Sequence, residues 1–81
     1  MSLKDFRENI DEIDEEILSL ILKRLDICKK IGIFKNENNM LIEDKKREEE
    51  ILDRIKKSAG EVSPAVENIF KNIILNCKNV Q

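Results

Sequence analysis

The residues best placed to do chemistry are charges that interrupt apolar faces. Apolar side chains recur at steps of three and four through Leu3, Phe6, Ile10, Ile13, Ile17 and Leu20, and again at Ile27, Ile31 and Phe34. Between the two runs the rhythm passes through Arg24. A buried guanidinium without a partner is costly, so Arg24 requires an anion. Lys35 follows eleven residues later, about 20° around a helix and ~16 Å up its axis. Two long cationic side chains on one face can converge on a small anion between them. Alternatively, Arg24 pairs with an Asp or Glu on another helix, and this helix alone leaves both readings open.

A second cluster is Asp44, Arg47 and Glu48, spaced i, i+3 and i+4 and therefore on one helical face. Ile51, Leu52 and Ile55 continue that face. The cluster is either simple intrahelical pairing or a site wall, with Arg47 holding an anion and the carboxylates accepting from hydroxyls. Cys77 and Gln81 are i, i+4 at the end of a third apolar face. Arg7 lies ~25 Å from Arg24 along a helix axis, too far to share a small ligand within one chain. Across a dimer with antiparallel long helices the two can meet.

Composition narrows the chemistry. The chain of 81 residues has no His, Trp or Tyr, and charged residues make up 40% of it. Without His there is no Ser-His or Cys-His nucleophilic pair, no usual zinc pattern and no ordinary side chain titrating near neutrality. A net charge of -2 gives no bulk attraction to nucleic acid. No apolar run reaches the ~18 residues of a membrane span and no signal-peptide core follows the N-terminus, so a soluble, cytoplasmic protein is expected. Two cysteines cannot build a disulfide framework, and Cys28 and Cys77 are read as reduced thiols packed as small hydrophobes. One domain over residues 1–81 is expected, small enough to need a staple, and oligomerisation is the staple left.

Three helices must position these residues, with no strand pattern. The first runs from about Leu3 to about Lys35, with Ser2 as N-cap and Asp5 in its first turn. The Asn-rich stretch Asn36 to Met40 breaks it. The second runs from near Asp44 to near Lys57, with Asp44 capping its start. The third begins at Ser63-Pro64, with Ser63 as N-cap, and buries Val66, Ile69, Phe70, Ile73, Ile74 and Cys77. A first helix about 50 Å long cannot be covered by a chain whose compact radius of gyration is ~12 Å. Its seam needs a partner, most simply a second copy.

Taken together, these segments resemble the all-helical, AroQ-type chorismate mutases. The resemblance rests on Phe6-Arg7-Glu8-Asn9-Ile10-Asp11-Glu12-Ile13-Asp14, on Leu18 to Lys35 with its Arg24, Gly32 and Lys35, on Asp44-Lys45-Lys46-Arg47-Glu48, and on Phe70 to Ile74. It implies an all-α intertwined homodimer that converts chorismate to prephenate in phenylalanine and tyrosine biosynthesis. That Claisen rearrangement needs no nucleophile, metal, cofactor or proton transfer; it is driven by conformational restriction and electrostatic stabilisation.

Residue by residue, the resemblance makes Arg7 the side chain that crosses into the partner's site and Arg24 a buried ligand of a substrate carboxylate. Lys35 contacts the ether oxygen and a carboxylate. Asp44 and Glu48 sit near the ring hydroxyl, with Arg47 between them. Cys77 stands where the family often has Ser, and Gln81 where a Gln or Glu faces the ether oxygen. Arg24, Lys35, Glu48 and Gln81 are the catalytic set. Three departures stand out: Glu43 replaces an Arg of some members, Cys77 offers only a weak donor, and Gln81 sits on a final turn, expected to order as substrate binds. The alternatives are an isochorismate-pyruvate lyase of the same fold and a non-catalytic helical dimerisation module. The latter requires Arg24 to be neutralised by a protein carboxylate.

Overall fold

The computed structural model describes residues 1–81 and is all-helical. Helix α1 spans Leu3–Glu37, α2 spans Lys45–Ala59, a 3₁₀ turn covers Gly60–Val62, and α3 spans Ser63–Val80. Helix α1 starts as its sequence demands. Asp5 N–H donates to Ser2 Oγ at 3.3 Å, and Ser2 N–H donates to Asp5 Oδ2 at 2.9 Å. This reciprocal capping box satisfies two donors that the first turn leaves unpaired. The Asn-rich stretch ends the helix: Asn38 Nδ2 donates back to Phe34 O at 2.8 Å, and Asn39 takes the left-handed φ of 54°.

Helix α2 is capped by Asp44, whose Oδ1 accepts from Arg47 N–H at 3.0 Å. It stops at Gly60, with φ 60° and ψ -129°, a conformation that Cβ-bearing residues avoid. The entry to α3 differs from expectation. Ser63 is not an N-cap; at φ -48° and ψ -45° it is already helical, and its hydroxyl donates to Glu67 Oε2 at 3.0 Å. The 3₁₀ turn feeds the chain directly into α3, and Pro64 occupies the first turn, where a missing N–H costs nothing.

Helix α3 packs against both α1 and α2, whereas α1 and α2 do not approach each other. A cleft therefore opens between α1 and α2, with α3 as its floor. The core is small: Cys28 and Gly32 from α1, Ile51 from α2 and Ile74 from α3 are buried. Val66, Phe70 and Ile73 are half-buried, but Ile69, expected inward, is 58% exposed. With so few buried side chains each one matters. Ile74→Ala should destabilise the fold by about 2–5 kcal/mol, read as a lowered urea midpoint at fixed protein concentration.

The cysteines correct the sequence reading. Cys28 and Cys77 are not free thiols but form a disulfide joining α1 to α3, with Cα atoms 5.4 Å apart. A single cross-link needs only that two helices bring the residues to the same level, and a separation of 49 residues carries no sign of that. On the chain-entropy account a loop of this length contributes about 4 kcal/mol.

The molecule measures 55 × 25 × 15 Å, with a radius of gyration of 15.8 Å. The first half of α1 stands clear of the rest of the chain. Phe6, Ile10 and Ile13 keep 50–55% exposure along it. No helix is long and apolar enough to cross a membrane.

Candidate active site

The cleft between α1 and α2 has a volume of about 390 Å³. Every site residue expected from the sequence lines it except Arg7. Arg24 and Lys35 come from α1, Asp44, Arg47 and Glu48 from the start of α2, and Cys77 and Gln81 from the end of α3. Ile27, Ile31, Ile51 and Ile74 supply apolar wall and floor. Arg7 is exposed on the projecting half of α1, away from this cleft.

Arg24 has no carboxylate partner. It is half-buried, and its one side-chain contact is Nη1 donating to Cys28 Sγ at 3.7 Å. Burial pushes its pKa down, and the neighbouring cations Arg47 and then Arg54 push it further. A half-buried guanidinium beside two like charges is the electrostatic signature of an anion site. The internal ion pair that would have made Arg24 structural is not formed.

Lys35 is held at two points. Its Nζ donates to Ile42 O at 2.6 Å and to Gln81 Oε1 at 3.1 Å. An ammonium has three protons, so one remains for a ligand in the cleft. The Gln81 amide is oriented by the same contact: with Oε1 on Lys35, its Nε2 faces Cys77 Sγ at 3.4 Å. One proton of that amide is likewise free. Gln81, expected to depend on substrate for its order, thus has protein partners of its own. Cys77 has no S–H to donate; its sulfur accepts instead.

Also lining the cleft, Lys78 Nζ lies 3.4 Å from Glu48 Oε2 and 3.6 Å from Glu43 Oε1. Glu48 Oε2 is buried and accepts no well-aligned hydrogen bond despite that ion pair. It remains an acceptor in need of a donor. Glu43, read as a lost cation, helps to hold a different one, Lys78. Sequence reasoning missed Lys78, although it follows buried Ile74 by four residues and so shares its face. It also missed the Ile42 carbonyl, which no side-chain pattern announces. Arg47 Nη1 reaches Glu50 Oε2 at 3.5 Å, a partner on its own helix outside the Asp44, Arg47 and Glu48 cluster. Asp44 spends one oxygen on capping α2.

The cleft thus gathers four cations, Arg24, Lys35, Arg47 and Lys78, around a buried Glu48 oxygen that accepts no aligned hydrogen bond. The model of the family "Chorismate mutase type II" matches residues 6–81. A chorismate mutase from Methanocaldococcus jannaschii is 39% identical over 71 residues, covering 88% of this chain and 67% of that protein. A bifunctional chorismate mutase/prephenate dehydratase from Aquifex aeolicus is 39% identical over 85 residues, or 98% of this chain. The chain spans only 24% of that protein's length. A solved structure of a conserved hypothetical protein from Pyrococcus furiosus has 47% identity and a TM-score of 0.81, covering 96% of this chain and 92% of its own. The chain belongs to the chorismate mutase type II family.

Proposed function

We propose that this chain is a chorismate mutase that rearranges chorismate to prephenate within an intertwined homodimer. The observation that carries the reading is Arg24, half-buried, without a carboxylate and close to Arg47, in one cleft with Lys35 and Gln81. In the reaction the ether C–O bond breaks as a new C–C bond forms, electrons moving round one ring and no proton transferring. The chain's task is to hold the compact conformer and stabilise charge on the departing oxygen. Arg24 takes a carboxylate through its planar fork. The third Lys35 proton and the free Gln81 amide proton point to the ether oxygen, and Glu48 Oε2 accepts from the ring hydroxyl. Asp44 and Arg47 complete that wall.

The dimer reading is supported by the half-exposed seam of Leu3, Phe6, Ile10, Ile13, Ile17 and Leu20, which nothing in the chain covers. A second copy laid antiparallel would cover it and bring the partner subunit's Arg7 to the cleft. Mixing tests this directly. Arg7→Ala and Arg24→Ala are each inactive alone, but exchange of subunits rebuilds one intact site per heterodimer. About a quarter of wild-type activity per chain should return for a two-fold assembly with statistical exchange. No recovery after demonstrated exchange would remove Arg7 from the site.

Gln81→Glu gives a pH test. A neutral amide donates at every pH, whereas the introduced carboxyl donates only when protonated, and nearby Lys35 favours its charged form. Activity of this variant should rise as pH falls, against a flat wild-type profile; matching profiles would remove Gln81 from the reaction. Binding is tested by calorimetry with a bicyclic diacid that mimics the transition state. One site per chain is expected, lost in Arg24→Ala. A folded protein that does not bind the diacid would contradict the proposal.

A further inference from the structure

We propose that Gly32 and the Cys28–Cys77 cross-link form a two-rung clamp that positions Gln81 and, through it, Lys35. Cys28 and Gly32 are i, i+4 on α1, and Cys77 and Gln81 are i, i+4 at the end of α3. The first pair of levels is joined by the disulfide and the second by direct contact of backbones. A Cβ on Gly32 would lie 2.7 Å from both Gln81 Cα and Gln81 O, and 3.0 Å from Gln81 Cβ. Two of those atoms are backbone, so a side chain at position 32 is accommodated only by moving the Gln81 backbone and not by a rotamer change.

Glycine is an unfavourable choice inside a 35-residue helix, where Ala forms helix better. Helix formation therefore does not explain Gly32, and the close approach of Gln81 does. The contact places the Gln81 side chain between the two partners it uses. Lys35, three residues beyond Gly32, holds its Oε1, and Cys77, in the other rung, faces its Nε2. A displaced Gln81 backbone would carry the amide off Lys35 and leave the ammonium held by the Ile42 carbonyl alone. Gly32 never touches the ligand in this account; it is a positioning residue.

The catalytic half of this inference rests on the proposed mutase activity, and the geometric half does not. The test compares Gly32→Ala, Gln81→Ala and their combination with wild type, in ¹H–¹⁵N spectra and in chorismate turnover. Gly32→Ala should retain full helicity by circular dichroism while shifting the Gln81 side-chain amide resonances. It should lower kcat about 10- to 100-fold with a much smaller change in KM. Adding Gln81→Ala should then cost little more. Unmoved amide resonances, or losses that multiply independently, would overturn the clamp. Cys28→Ala, which breaks the cross-link but keeps the Cys77 sulfur beside Gln81, should move the same resonances; resonances left in place would strike the cross-link from it. If wild type fails to turn over chorismate, the mutase reading falls, and the resonances still decide the geometry.

Discussion

Arg24→Ala should lower kcat/KM for chorismate by on the order of 10²-fold or more. Most protein arginines with half-buried side chains neutralise a carboxylate, and removing them exposes that carboxylate's desolvation. Arg24 has no such partner; burial first, and then repulsion from Arg47 and Arg54, disfavour its charge. Its removal should therefore leave the folded state as stable as before, or more so. The expected result is a divergence: activity falls steeply while the urea midpoint holds or rises. A fall in stability with unchanged activity would identify Arg24 as structural. Arg24→Lys should recover little, because a single ammonium does not reproduce bidentate carboxylate binding.

Lys35→Ala should cost a similar factor, on the order of 10²-fold or more, mainly in kcat. Two effects add. The variant loses the cation that the proposed mechanism assigns to the departing oxygen, and it frees Gln81 Oε1, which Lys35 holds at 3.1 Å. The Ile42 carbonyl also loses its 2.6 Å donor, but that group is exposed and water can replace the bond. Stability should thus change little. Because Lys35 and Gln81 act as a unit, Lys35→Ala and Gln81→Ala together should lose less than the product of their separate losses. A Lys35→Ala enzyme with unaltered kcat would contradict the role given to this residue.

Much of this architecture was legible because it is local. Ser2 and Asp5 form the capping box their spacing announces, and Asp44 caps α2. Arg24 and Lys35 fall on one face because helical rotation over eleven residues nearly closes on itself. What stayed hidden depends on how helices meet. The register of α3 against α1 sets the Cys28–Cys77 bond, and no periodicity within either helix encodes it. The same register seats Gln81 on Gly32, so a glycine that reads as a weak spot in a helix is a point of contact. Lys78 stayed hidden because its partners, Glu43 and Glu48, lie outside α3, 35 and 30 residues earlier in the chain. Ser63 misled for a local reason: the preceding 3₁₀ turn had already started the helix.

The mild net charge of the chain likewise concealed its arrangement. Acidic residues outnumber basic ones, 17 to 15, yet Arg24, Lys35, Arg47 and Lys78 converge on one cleft. Only Lys78 among them is neutralised by carboxylates on facing elements. The sum over a sequence describes solubility and encounter, whereas the site is decided by where the unpaired charges are placed.

The most direct measurement is turnover of chorismate by the purified, folded protein, with its product identified. The account predicts loss of chorismate absorbance with stoichiometric prephenate and no pyruvate, abolished by the bicyclic diacid. A folded protein that leaves chorismate unchanged above the uncatalysed rate would contradict it.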